Sequence, residues 1–263
     1  MISVKLKGGL GNLMFQIAAI EHLAYKNNST VGYYNWDSHL EFMNEDAVTP
    51  KMTYAKDYNI VFKNLSFPKC SPLGKTINIP FHYTKLFFQE GVCYEGYFQS
   101  EKYFPDRDFV TNLFTPSDTV SKKLKKYDYL FSEGTTCAIH VRRGDYVFKF
   151  SHLYLLPDHD SLEYYKKGIE LVQADRYIVF SDDIEWCKQN FKGKNYFFIE
   201  DKDYIELFLM AKCDHNIITN SSFSWWGAWL NQNPNKICIG PKQWFARPHV
   251  TESDIVPESY IKI

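Results

Sequence analysis

The chain is short of the features that mark the unusual protein classes. Glycine and proline are sparse, with 13 and 11 residues in 263, which excludes collagen-like, low-complexity and disordered sequences. Charge of one sign is not in excess: 30 Lys and Arg stand against 31 Asp and Glu, a net charge of −1. A broad nucleic-acid-binding face, which needs a basic surplus, is therefore not expected. Long hydrophobic runs are absent too. The charge-free stretch 216–235 is rich in Asn, Ser and Thr and contains Pro234, whereas a membrane span needs ~20 mainly apolar residues. The opening MISVKLKGGLGN lacks a basic head followed by an apolar core and cleavage site, so no export signal is expected. The six cysteines are scattered, without a CxxC or a Cys/His cluster. They read as small buried hydrophobes in a reducing compartment, a cytoplasmic location either free or peripheral to a membrane.

Apolar and aromatic residues are plentiful, at 45% and 17% of the chain. That suffices for a substantial core in one large domain or two small ones. Residues 2–7 alternate Ile2, Val4 and Leu6 with polar partners, a strand pattern. A glycine-rich turn, Gly8-Gly9-Leu10-Gly11-Asn12, leads into 13–26, where Leu13, Ile17, Ile20 and Ala24 keep helical spacing. A strand is expected at 30–34. This β-α-β opening predicts a parallel sheet with helices on its faces. Residues 40–91 give no clear element. Helices are expected near 101–114 and 118–129.

After Gly134 a second alternating series begins. Strands are expected at 137–141, 177–180, 196–199, 216–218 and, last, 236–239. Helices fall between them at 161–173, 184–190 and 204–212, and from Ser222 onward. No repeat of fixed period is present. The expectation is an α/β protein of two halves, residues 1–133 and 134–263, joined near 130–136.

Chemistry-bearing residues gather where strands run out, the place where open α/β sheets bind ligands. His140-Val141-Arg142-Arg143-Gly144-Asp145-Tyr146 ends a buried strand with two guanidinium forks suited to phosphate oxygens. Successive residues point to opposite sides, so one Arg is expected to reach a ligand and the other to pair with Asp145. An Arg–Asp surface network is the plain alternative. Gly8–Asn12 opens a helix whose free N–H groups suit an anion, although a merely tight turn explains the glycines as well. Thr219-Asn220-Ser221-Ser222-Phe223-Ser224 offers a second such helix start, against the alternative of an ordinary N-cap. Ser181, Asp182 and Asp183 follow a third strand, either bonding a ligand hydroxyl or capping a helix. Glu206 is either a surface charge or a group that reads a base edge. Asp158-His159-Asp160 and Asp201-Lys202-Asp203 match the Asp-x-Asp of metal-dependent sugar transferases, but both precede helices, where acids are favoured anyway.

Several segments together resemble the α-1,2-fucosyltransferases of glycosyltransferase family 11. They are GGLGNLMFQIA at 8–18, GYFQSEKYF at 96–104, HVRRGDY at 140–146, FSDDIEWCK at 180–188 and LFLMAKCDHNIITNSSFSWWGAWLN at 207–231. The resemblance implies a GT-B fold, two Rossmann-like lobes facing a central cleft, with the N-terminal lobe on the acceptor side and the C-terminal lobe holding the donor. It implies metal-independent, inverting transfer of fucose from GDP-β-L-fucose to a galactose 2-hydroxyl, with no cofactor. The implied partners are a nucleotide sugar and a glycan acceptor.

Carried over by position, His140 would contact guanine, Arg142 would hold the pyrophosphate, and Ser221 and Ser222 would add phosphate contacts. Asn12 would face the sugar, and Glu206 would read the guanine edge. The expected catalytic set is Arg142, Asp145 and Asn12. The expected donor-binding set is His140, Arg142, Arg143, Gly11, Asn12, Asp182, Glu206, Ser221, Ser222 and Phe223, with no metal ligand. Glu95, Glu101, Asp145 and nearby histidines are candidate bases. The family pattern has Gln where this chain has Leu13, and Asp where it has Glu206. Competing readings are a transferase using another nucleotide-deoxysugar or acceptor, a metal-dependent transferase, and a non-catalytic sugar-binding module.

Overall fold

The structure is a computed structural model, which describes residues 1–34, 57–66, 68–71, 73–148, 162–246 and 254–263. The chain forms two compact units. The first is Met1–Ser121 together with Ser253–Ile255; the second is Lys122–Glu252 with Val256–Ile263.

The first unit opens as the alternation demands, with strand β1 (Ile2–Lys5), helix α1 (Leu10–Lys26) and strand β2 (Val31–Tyr34). Ile2, Val4 and Leu6 are fully buried. There follow α2 (Tyr58–Val61), β3 (Thr76–Asn78), β4 (Cys93–Glu95), α3 (Arg107–Leu113) and α4 (Asp118–Leu124), within which the first unit ends. The four strands are all parallel, in the order β2-β1-β4-β3. The helix expected over 101–114 is interrupted: a 3₁₀ turn at Glu101–Tyr103 and α3 flank Pro105, whose ring and missing N–H oppose helix continuation. The helix expected to reach 129 changes to 3₁₀ at Lys125–Phe131.

The second unit contains β5 (Thr136–Val141), α5 (Gly144–Phe148), α6 (Glu163–Val172), β6 (Arg176–Ser181), α7 (Ile184–Asn190), β7 (Tyr196–Ile199), α8 (Asp203–Lys212), β8 (His215–Ile217), α9 (Ser222–Leu230), β9 (Cys238–Gly240) and β10 (Ile261–Lys262). The expected cap of α6 at Asp160 or Ser161 lies outside the described residues. The strand at 238–240 is not the last, because Ile261–Lys262 adds an edge beside it. Strand order is β10-β9-β8-β5-β6-β7, parallel throughout. Renumbered from β5, this is the doubly wound order 3-2-1-4-5-6, and its crevice lies at the carboxyl ends of β5 and β8, where the winding reverses.

Every residue of β5 is buried, as the central strand of a sheet covered on both faces requires. Trp225, Trp226 and Trp229 are 0%, 0% and 2% exposed, so they are core and not a sugar-stacking surface. Gly227 lets α9 press on α8, since a Cβ there would lie 2.8 Å from Met210 Cβ. Asn231 Nδ2 donates to Asn216 Oδ1 (2.8 Å) and to the Cys213 carbonyl (2.7 Å). These bonds satisfy buried polar groups and fix β8 against both helices. All six cysteines are free thiols. Burial pushes the Cys187 thiol up to about 12, which makes it an inert packing residue.

Candidate active site

In the second unit, the register Val141↔Ser181 between β5 and β6 brings the next residues, Arg142 and Asp182, side by side. Arg142 Nη1 lies 3.1 Å from Asp182 Oδ2, and Nη2 donates to Asp145 Oδ1 at 2.6 Å. Its guanidinium also covers the Tyr146 ring, 5.1 Å from the centroid. A guanidinium has five N–H donors, so these two carboxylates fix its direction and leave donors for the oxygens of a third anion. Asp182 also accepts from the Arg143 amide (2.8 Å). Gly144 is required beside it: a Cβ there would collide with Asp182 Oδ2.

The expectation that the second Arg pairs with Asp145 is corrected. Asp145 serves Arg142, while Arg143 Nε donates to Asp183 Oδ2 (3.1 Å) and its guanidinium lies 4.0 Å over the Trp186 ring. Strand geometry explains the split, because consecutive side chains leave β5 on opposite faces. Asp183 also caps α7, accepting from the Trp186 amide at 3.2 Å, so its structural reading holds.

His140 is 5% exposed, and its buried Nδ1 has no partner among the described residues. The ring lies 5.5 Å from that of Phe223. Burial, reinforced by the Arg142 charge, pushes its pKa down to about 3, so the imidazole is neutral at any physiological pH. The unfolded chain binds the proton below about 6.5 and the folded chain does not, so this site costs stability progressively as pH falls from 6.5 toward 3. Between pH 7 and 4.5, urea unfolding of the wild type is expected to lose about 2 kcal/mol more than the His140→Gln variant. Parallel pH curves would contradict this environment for His140.

On the other side of the crevice, Ser221 occupies the N-cap position of α9 with extended backbone, φ −124° and ψ 124°, but its side chain makes no cap bond. The ordinary-cap reading therefore fails. The first-turn N–H groups of this nine-residue helix stand beside the β8 end with the positive pole of its dipole. Tyr146 Oη donates to the Asn220 carbonyl (3.3 Å), tying the Arg142 platform to that turn. Neither Tyr146 as a brace nor Gly144 as a space-maker stood out in the sequence, although both lie within HVRRGDY. Glu206 is buried, and its Oε1 accepts from the Asp201 amide at 3.0 Å, so this carboxylate holds the approach to α8.

In the first unit, Gly8 has φ +90°, and a Cβ there would lie 2.6 Å from Asn12 Nδ2, so the glycine is obligatory. Gln16 pins the turn, accepting from the Lys7 amide (2.9 Å) and donating to the Lys7 carbonyl (2.7 Å). Asn12 sits in the first turn of α1 next to the buried Gly11, and its Oδ1 accepts from Gln99 Nε2 at 2.7 Å. At the strand ends of the same sheet, Glu95 is held by Lys5 (3.2 Å) and Lys7 (3.5 Å).

Among the described residues no group of three or more His, Cys, Asp or Glu is placed to hold a metal ion. Asp201 is engaged by Lys126 (2.6 Å) and by Tyr127 Oη (2.7 Å), while the segment 158–160 lies outside the described residues. Among the described residues no helix is long and apolar enough to cross a membrane.

The model of glycosyl transferase family 11 matches residues 1–263. The chain belongs to this family. It is 30% identical to an α-1,2-colitosyltransferase of Escherichia coli, over 100% of this chain and 99% of that one. It is 23% identical to a galactoside 2-α-L-fucosyltransferase of Caenorhabditis elegans, covering 100% of this chain and 79% of the relative. Among solved structures, the fucosyltransferase NodZ from Bradyrhizobium superposes with a TM-score of 0.54 at 12% identity, covering 86% of this chain and 91% of that one; NodZ has also been crystallised and soaked with GDP-fucose. That likeness concerns the fold. The protein is a glycosyltransferase with a GT-B-type fold of Rossmann-like units.

Proposed function

We propose that the protein transfers L-fucose from GDP-β-L-fucose to the 2-hydroxyl of a galactoside, with inversion. The observation that carries this reading is the pairing, at one switch point, of a carboxylate-clamped Arg142 after β5 with an uncapped helix start after β8. That combination suits a departing nucleoside diphosphate. As the sugar carbon–phosphate oxygen bond breaks, negative charge grows on the diphosphate, and preorganised donors absorb it. The acceptor oxygen bonds to the sugar carbon from the opposite face and gives up its proton to a base or to water.

In this reading Arg142 and the Ser221–Ser222 turn hold the diphosphate, and His140 with Phe223 lines the guanine pocket. Glu206 reads the guanine edge, Asn12 contacts the sugar, and Asp145 and Asp182 aim Arg142. Arg143, packed on Trp186, supports the site indirectly. The colitosyltransferase relative favours a second reading, in which the donor carries another deoxysugar. The galactoside fucosyltransferase relative and the NodZ fold support the first.

An assay with GDP-fucose and GDP-colitose against a panel of galactosides, read by mass spectrometry, separates the two. Fucose is expected on O2 of galactose, with the rate unchanged in excess chelator. Colitose transfer alone, or a strict Mn²⁺ requirement, would overturn the reading.

A further inference from the structure

Gln99 departs from the usual behaviour of a buried amide. It is 8% exposed, yet its Oε1 has no hydrogen-bond partner among the described residues. Burying an acceptor unpaired is costly, and native structures avoid it unless the arrangement serves something else. What Gln99 does with its other arm is donate from Nε2 to Asn12 Oδ1 at 2.7 Å, across 87 positions of sequence. Asn12 Nδ2 points toward Gly8, whose missing side chain leaves the space that the NH₂ occupies. The Asn12 carboxamide thus turns its oxygen to Gln99 and its NH₂ away from it.

We infer that Gln99 is a positioning residue: it sets the polarity of the Asn12 amide, so that Asn12 presents N–H and not C=O to a sugar oxygen. A carboxamide is nearly symmetric in shape and can turn over, so the polarity of Asn12 follows from which end of the Gln99 amide faces it. The end that faces it is the donor, Nε2. This inference rests on the proposed contact between Asn12 and the sugar.

The Gln99→Glu variant tests it. An ionised carboxylate at position 99 only accepts, so it would draw the Asn12 NH₂ toward itself and turn the amide over. A protonated carboxyl donates O–H and restores the original polarity. The expected result at pH 7.5 is a kcat for sugar transfer lowered at least tenfold, with thermal stabilisation by GDP equal to that of the wild type. The ratio of variant to wild-type kcat should then rise as pH is lowered through the titration of the new carboxyl. Wild-type kcat at all pH values, or a loss whose ratio to wild type is independent of pH, would overturn the assignment. If Gln99→Glu does not fold, Gln99→Leu replaces it: a lowered kcat with GDP stabilisation intact is expected, and an unchanged kcat would overturn the role. Absence of GDP stabilisation in the wild type itself would instead count against the proposed function.

Discussion

Arg142→Ala is expected to lower kcat for sugar transfer by about 10²–10³, the usual effect of deleting one preorganised donor to a developing anion. The melting temperature should change far less, because the Arg142 side chain is about a third exposed (31%) and the strand it leaves is packed independently by Cys137, Ile139 and Val141. Arg142→Lys should recover little. A lysine carries the charge but cannot place two N–H groups on Asp145 and Asp182 while offering others to a ligand. The variant has a second signature: removing Arg142 deletes one of the two influences that keep His140 neutral, so its pKa should climb toward the ordinary value by NMR titration. An Arg142→Ala enzyme with wild-type turnover would remove this residue from the chemistry.

Gly144→Ala carries the second large effect, through geometry alone. The added methyl would occupy the place of Asp182 Oδ2. Asp182 is anchored by two bonds, from Arg142 Nη1 and from the Arg143 amide. It cannot withdraw without releasing both. Charged hydrogen bonds of this kind are worth about 1.5–3 kcal/mol, so kcat is expected to fall roughly 10- to 100-fold. The conservative change Asp182→Asn should produce a smaller loss, because the amide still accepts from Arg143 and leaves the Gly144 space open. Equal kcat values for Gly144→Ala and wild type, measured at saturating donor, would show that the clamp does not matter.

How much of this was legible in the sequence depends on the range of the forces involved. Arg142 stood out because a mainly apolar strand, CAIHV, stops abruptly at two charged residues, a local contrast. That Asp182 would be its partner did not stand out. The pairing comes from the parallel register Val141↔Ser181, which no local pattern encodes. Strands β3 and β4 were missed because three residues each, with Thr76, Asn78 and Glu95 at their ends, are too short to show alternation. They are strands because β1 offers β4 an edge and β4 in turn offers one to β3. Within the helix expected over 101–114, Pro105 is the local cause of the break, since its ring and missing N–H oppose helix continuation. The serines at 221–222 looked like caps. Only the structure shows that the Ser221 side chain makes no cap bond, which favours the proposed anion-binding role over routine capping. Gln99 belonged to a motif, GYFQSEKYF, but its orphan oxygen and its long-range bond to Asn12 are tertiary facts.

In the proposed reaction the donor's diphosphate rests between the Arg142 guanidinium and the first N–H groups of α9. A crystal structure with bound GDP decides this. The diphosphate oxygens should lie about 3 Å from Arg142 and from the amides at the Ser222–Phe223 turn. A diphosphate seated instead on the other glycine-rich helix start, at Gly9–Asn12, with Arg142 still bonded only to its two carboxylates, would contradict the account.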